Sequence, residues 1–288
     1  MTSRIAAVAL AVVVAGWTSD SALTSSRQPA FQLRVLRLVD HSRRAHFRNG
    51  TSGPRVLVTD VRVPTAGQAP YPLVVFGHGF ALTPRAYAHL LDTWASAGYV
   101  VAAPVFPVES ENAPGGPDES DLVNQPGDMS FVVSSLTAPT GPLHGLVDAK
   151  RIAFAGQSDG AETAFAASYD RRYLDRRVDA AVIMSGTAFP GFTGPARSPP
   201  LLAIQGTRDQ SNGPGTTARY YRLMARPKFL LWLLGATHLL PYTTRDRWAA
   251  AVDRATLAFL DHYLRGEPLR PLLAPDGPHG IARIASDP

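Results

Sequence analysis

Arg151-Ile152-Ala153-Phe154-Ala155-Gly156-Gln157-Ser158-Asp159-Gly160-Ala161-Glu162-Thr163-Ala164-Phe165-Ala166-Ala167 decides how this chain folds. Its first five residues are a short apolar run of the kind that forms a buried strand, and its last seven read as a helix. The Gly-x-Ser-x-Gly between them marks a strand-to-helix turn so tight that the serine hydroxyl stands clear of the sheet edge. Side chains two residues before and after Ser158 would collide with the neighbouring strand and helix, so both positions hold glycine. Outward from this turn the pattern repeats. Tyr71 to Phe76 is a buried strand ending at Gly77-His78-Gly79, Pro84 opens a helix that runs to Ala97, and Tyr99 to Val105 is another buried strand. A helix runs from Gly127 or Asp128 to Leu136. Beyond the turn, Val178 to Met184, Leu201 to Gln205 and Lys228 to Leu234 read as strands, and Thr216 to Ala225 and Arg245 to Leu264 as helices. Phe31 to Val39 and Arg55 to Val63 are β-like runs around a polar turn containing Asn49-Gly50, suited to antiparallel edge strands. Strands alternating with helices specify an α/β fold: a mostly parallel central sheet with helices on both faces. Ligands of such a sheet sit at the carboxyl ends of its strands.

Composition narrows the partners. The 288 residues carry a net charge of +5, and Lys150 and Lys228 are the only lysines. The arginine pairs Arg43-Arg44, Arg171-Arg172 and Arg176-Arg177 are scattered and form no stripe, which argues against a nucleic-acid face. With no cysteine there is no disulfide, no thiolate metal site and no Cys nucleophile. Arg4 followed by the apolar run Ile5 to Trp17 reads as a signal peptide over residues 1–22, with a Ser/Thr-rich linker over 23–30. The run is short for a membrane span, and Trp17 stands where a lipidated cysteine would have to be. The expectation is a secreted monomer without a stable membrane anchor. A single domain covers 31–270, and the Pro-rich tail 271–288 reads as irregular.

A serine nucleophile needs a base and a group that orients the base. Of eight histidines, five precede Ser158, and of the three after it only His238 directly follows a buried strand, in Leu233-Leu234-Gly235-Ala236-Thr237-His238. His262 lies inside the terminal helix and His279 in the tail. Asp209, in Gln205-Gly206-Thr207-Arg208-Asp209, follows the strand before it. Its competitors Asp175 and Asp179 fall near the start of a strand, at the wrong edge of the sheet. In this reading His238 takes the Ser158 proton and Asp209 holds the imidazole tautomer.

From about Pro70 to Leu264 the chain resembles the α/β-hydrolase serine esterases. The likeness rests on the serine turn, Gly77-His78-Gly79-Phe80, Gly206-Thr207-Arg208-Asp209 and Gly235-Ala236-Thr237-His238. It implies the chain order serine, acid, histidine, and an oxyanion hole made by the backbone N–H groups of Phe80 and Asp159. His78 is then a structural turn residue. An acid after the serine departs from the usual apolar or amide residue, and Asp159 is expected to turn its carboxyl away, toward the helix N-terminus. Within the superfamily the chain is similar to the dienelactone-hydrolase-like branch that includes platelet-activating-factor acetylhydrolase-like and chlorophyllase-like proteins. The segment Asn124 to Val132 shares that likeness. The layout also resembles bacterial cutinases, without their C-terminal disulfide or their Met after the serine.

The resemblance implies a carboxylic-ester hydrolase working through an acyl-enzyme, on a small-molecule or polymeric ester. A cutinase-like polyester hydrolase is the alternative, and a non-catalytic binding protein is the rival from another class. The short link between the strands ending near Ser185 and starting near Leu201 leaves no room for a large cap. Phe80, Phe189, Phe192, Leu239, Leu240 and Tyr242 are candidates for an apolar substrate wall. The acidic loop Glu109 to Asp121 lacks compact Ca²⁺-ligand spacing and reads as a solvated loop. No metal or cofactor is implied.

Overall fold

The structure is a computed structural model that describes residues 30–270, 272 and 280–287. The signal and most of the linker expected at the N-terminus lie outside the described residues. Nine strands and six helices follow in chain order: β1 (Phe31–His46), β2 (Ser52–Pro64), β3 (Tyr71–Gly77), α1 (Ala88–Ser96), β4 (Val100–Pro104), α2 (Gln125–Thr137), β5 (Val147–Gln157), α3 (Asp159–Tyr169), β6 (Val178–Met184), β7 (Leu201–Gly206), α4 (Pro214–Leu223), β8 (Lys228–Leu233), α5 (Leu240–Thr243), α6 (Ala249–Arg265) and β9 (Ala282–Asp287). A 3-10 turn, Pro84–Tyr87, leads into α1, and another, Glu119–Asn124, leads into α2.

The strands form one sheet in the order β1-β2-β4-β3-β5-β6-β7-β8-β9. The neighbours from β4 through β8 are parallel, whereas β1, β2 and β9 make antiparallel joins at the two ends. Successive side chains on a strand point to opposite faces, and each face has its own core. Leu73 and Val75 of β3 belong to the core under α2, α3 and α4, with Met129, Val133, Phe165 and Tyr220. Val74 and Phe76 belong to the core under α1 and α6, with Leu91, Trp94, Val252 and Phe259. Each fully buried side chain of this size contributes about 1.5–3 kcal/mol. Burial on both faces is why the inner strands read as unbroken apolar runs.

Three expectations change. The hairpin at the start is longer than the apolar runs alone suggest, because β1 continues past a register shift between Asp40 and Arg44. The tail is not irregular throughout: residues 282–287 form β9, paired with β8 from Lys228↔Asp287 to Leu233↔Ala282. A strand of such mixed polarity gains its order from the open edge of β8. The acidic loop is not simply solvated either. Glu109 is fully buried, and Asp121 is buried against Arg55 at 2.6 Å, which also holds Asp128 at 2.6 Å. This ion-pair cluster fastens β2 to the 3-10 turn and to α2.

Candidate active site

The serine turn joins β5 to α3 at the carboxyl edge of the sheet. Ser158 sits at φ 56°, ψ −125°, a conformation costly for any residue with a side chain. It persists because the surroundings allow nothing else. A Cβ on Gly160 would lie 2.1 Å from the Gly77 carbonyl oxygen, and one on Gly156 would lie 2.0 Å from that of Gly160. The Ser158 N–H still donates to Met184 O at 3.0 Å, so the strained residue remains bonded to β6.

The structure brings Ser158, His238 and Asp209 together. His238 Nε2 lies 2.9 Å from Ser158 Oγ, and His238 Nδ1 lies 2.8 Å from Asp209 Oδ2. Asp209 follows β7 and His238 follows β8, and parallel neighbours bring the two loops side by side. Arg208 N–H donates to Ala236 O at 2.9 Å and Gly235 N–H donates to Thr207 Oγ1 at 2.8 Å, tying one loop to the other. Asp209 also accepts from Ser211 N–H, Asn212 N–H and Gln205 Nε2, at 2.9–3.0 Å. Burial works to raise its pKa, but the His238 bond and charge, with these donors, hold the carboxyl below its usual 3.8. It is therefore ionised and fixed, the state that keeps the imidazole proton on Nδ1 and leaves Nε2 free to accept from the serine.

A second chain of bonds supports the first. Gly79 N–H donates to the Tyr87 hydroxyl at 3.1 Å, which donates to Gln157 Oε1 at 2.7 Å. Gln157 Nε2 in turn donates to His238 O at 3.0 Å and approaches His238 Nε2 within 3.3 Å. His78 is buried under the same turn. Phe106 N–H donates to its Nε2 at 2.9 Å, so its Nδ1 carries the proton and donates to Gly79 O at 2.9 Å. Burial pulls its pKa down to about 4, opposed by the Gly79 bond, which keeps the ring neutral.

In the turn after β3, the N–H groups of Gly79, Ala81 and Leu82 all have acceptors, whereas that of Phe80 has none among the described residues. Asp159 is the first residue of α3, so its N–H has no carbonyl one turn back to bond. Both residues line the cleft over Ser158, which encloses about 460 Å³ and is also walled by Leu82, Gln157, Ser211, Asn212, His238 and Leu239. Such a pair of free donors beside a nucleophile can hold a developing oxyanion. Asp159 borders the cleft, but its side chain is buried: the residue is only 8% exposed, and Oδ2 is buried without a partner. Burial and then the Glu119 charge push its pKa up to about 6, against the pull of His238 and of contacts with Ser158 and Glu109. Glu109, on the loop after β4, acts on this side chain.

A model of the family described as Chlorophyllase matches residues 27–185, more than half of the chain. The chain belongs to the chlorophyllase family. Among solved structures, this chlorophyllase-family protein is similar to a ferulic acid esterase from Streptomyces cinnamoneus. The two share 24% identity over 90% of this chain and 97% of that one, with a TM-score of 0.73, a likeness of fold. A comparison with curated protein sequences gives no match. Family and fold together make the molecule an α/β-hydrolase of the serine-esterase branch.

Not every expected wall residue of this chlorophyllase-family protein reaches the cleft. Phe80 does, 41% exposed at the rim, and so does Leu239. Phe189 is 2% exposed and meets Tyr173 edge-on, while Phe192 packs edge-on against Phe165 with ring centroids 4.8 Å apart. Their loop is pinned back by the Asp170–Pro195 bridge and by Arg172 donating to Pro190 O at 2.7 Å, so its aromatic residues turn inward. Tyr242 is buried too, its hydroxyl 3.0 Å from Ser185 Oγ. Sequence reasoning passed over Glu109, Tyr87 and Gln157. A buried polar residue at the end of an apolar strand, as Gln157 is, was the one available signal. Among the described residues no group of His, Asp and Glu is placed to hold a metal ion, and no helix is long and apolar enough to cross a membrane.

Proposed function

We propose that this protein is a carboxylic-ester hydrolase acting through an acyl-enzyme. The reading is carried by the Ser158–His238–Asp209 relay, with contacts of 2.9 and 2.8 Å, opening on a cleft with two free N–H groups. Ser158 Oγ attacks the ester carbonyl while His238 Nε2 takes its proton, and the carbonyl electron pair moves onto oxygen. The Phe80 and Asp159 N–H groups hold that oxyanion. Collapse breaks the bond to the alkoxy group, which leaves as an alcohol with the proton from His238. Water then attacks the acyl-enzyme in the same way, giving up its proton to His238 and releasing the acid. Asp209 stays ionised and stabilises the imidazolium in both halves. Turnover of p-nitrophenyl acetate and butyrate tests the reading: Ser158→Ala is expected to lose roughly three or more orders of magnitude in kcat. Equal activity in wild type and Ser158→Ala would overturn it, and a folded protein that a fluorophosphonate probe does not label would favour a binding role.

The exposed Phe80 and Leu240 near an uncapped cleft favour a second reading, hydrolysis of solid polyester. Release of soluble acids from polycaprolactone film is the expected result, and none from a protein active on soluble esters excludes it. Export rests on Arg4 and the run Ile5 to Trp17. Mass spectrometry of protein from the culture medium is expected to show a chain shortened within about the first 30 residues.

A further inference from the structure

The carboxyl groups of two acids near Ser158, Glu109 and Asp159, have no part in the hydrolytic sequence above. Glu109 is fully buried in the loop after β4, and its main-chain oxygen accepts from Ala81 N–H at 3.0 Å, beneath the turn that carries Phe80. Its Oε2 accepts from the Gln125 carboxamide, whose own Oε1 accepts from Thr163 Oγ1 at 2.7 Å. Both ends of that amide are engaged, which fixes its orientation. Glu109 Oε1 is left buried without a partner, and so is Asp159 Oδ2. The Ala81 and Gln125–Thr163 contacts place Glu109 beside the first turns of α3, where it acts on Asp159, and each of the two carboxyls keeps one buried oxygen unpartnered. Two ionised carboxylates cannot rest in this arrangement, whereas one proton between them satisfies both unpartnered oxygens at once. The buried Arg55 guanidinium does not do so instead, because it is engaged by Asp121 and Asp128.

We propose that Glu109 is a positioning residue of the active site: as a neutral acid it donates its Oε1 proton to Asp159 Oδ2, tethering the Asp159 carboxylate away from the oxyanion while the Asp159 N–H stays free. The catalytic consequence rests on the ester-hydrolase reading, but the shared proton does not. A carboxylate beside a developing oxyanion opposes the reaction. Bonded to a neutral acid, its charge is spread and its direction fixed. If Glu109 ionises, the tether is lost and a second negative charge is added.

The surroundings set when that happens. The charges of Asp159 on α3 and of Glu119 and Asp121 in the 3-10 turn before α2 act on Glu109, and Gln125 of α2 donates to it. The Glu109 charge in turn acts on Tyr87, and His238 acts on Asp159. Burial first, then the Asp159 charge, pushes Glu109 up to about 9, while Asp159 is raised to about 6. Between those values the pair holds one proton. The working form is therefore present at neutral pH and is lost as pH rises through the upper value.

Glu109→Gln keeps a donor at every pH and cannot ionise, so its pH profile is the readout. Wild-type kcat on p-nitrophenyl butyrate is expected to fall about tenfold from about pH 8 to about pH 10, and Glu109→Gln to stay flat over that range. Glu109→Ala, with no donor, is expected to be about tenfold low in kcat throughout with little change in KM. Infrared spectroscopy reads the proton without catalysis: a carboxylic-acid C=O band at neutral pH that disappears in Glu109→Gln and shifts in Asp159→Asn. An alkaline fall in Glu109→Gln equal to that of wild type overturns the inference, as does absence of the band. A protein that shows the band but hydrolyses no ester overturns the functional reading and leaves the shared proton standing.

Discussion

Replacing Gly160 by alanine puts a methyl group into a contact that has no room for one. The new Cβ would lie 2.1 Å from Gly77 O, 2.2 Å from Gly77 C and 2.6 Å from His78 O, all backbone atoms. Real Cβ atoms essentially never come closer than 3.0 Å, so the first turn of α3 and the end of β3 must separate by about 0.9 Å, from 2.1 to 3.0 Å. Neither side can yield by rotating a side chain, so the cost is backbone strain of about 1–3 kcal/mol, typical of overpacking. The shift falls between Ser158 on one side and the Phe80 N–H on the other. A displacement of about 1 Å between reacting groups costs about a hundredfold in rate. Gly160→Ala is therefore expected to lower kcat on p-nitrophenyl butyrate by about two orders of magnitude and to lower Tm. Gly215→Ala in α4 is the control, because no atom lies within 4 Å of its added Cβ. That variant is expected to be fully active and stabler by about 0.5–1 kcal/mol. A Gly160→Ala enzyme within about threefold of wild type in kcat/KM, with unchanged Tm, would refute the reasoning.

Other perturbations test separate parts of the molecule. Arg55→Ala leaves Asp121 and Asp128 without their buried partner and is expected to cost about 3–5 kcal/mol, measured by urea unfolding. Asp209→Asn keeps the shape but favours the wrong imidazole tautomer; kcat is expected to drop by about 10⁴, with the fold intact by circular dichroism. Tyr87→Phe cuts the link from Gly79 to Gln157 and is expected to lower kcat about tenfold while KM holds, in steady-state kinetics. Asp209, Asp170 and Asp175 are pushed up by burial but held below 3.8 overall by their His and Arg partners and backbone donors. The stability they confer is present above 3.8 and lost as pH falls through their lower folded values, so the urea midpoint is expected to drop steeply below about pH 4.

The inner strands were legible because burial on both faces forces unbroken apolar runs, as in Leu73 to Phe76 or Leu201 to Ile204. The places of Asp209 and His238 could be reasoned out because each follows a strand, and parallel strands deliver their loops to one edge. What chain order does not encode is the direction of a side chain on a loop. Phe189 and Phe192 looked like cleft residues, yet Asp170 and Arg172 draw their loop back onto α3. Tyr87, Gln157 and Glu109 act through partners about 50 to 80 positions away, and no local pattern marks such a partner. The surroundings of the buried Asp159 carboxyl are hidden for the same reason, since the acid that acts on it lies on the loop after β4. Residues 282–287 have the composition of a linker and become a strand only where β8 offers an edge.

That last strand also decides how these molecules behave toward one another. Without it, Phe229-Leu230-Leu231-Trp232-Leu233 would present a row of unpaired N–H and C=O groups on an apolar strand, a template for cross-molecular sheet growth. β9 occupies that row and ends the sheet with Arg283, Ser286 and Asp287. A chain cut before residue 281 would keep Ser158, Asp209 and His238 and still be expected to self-associate at concentrations where the full chain does not. Its last six strand residues act as a solubility device for an edge that the rest of the fold leaves open.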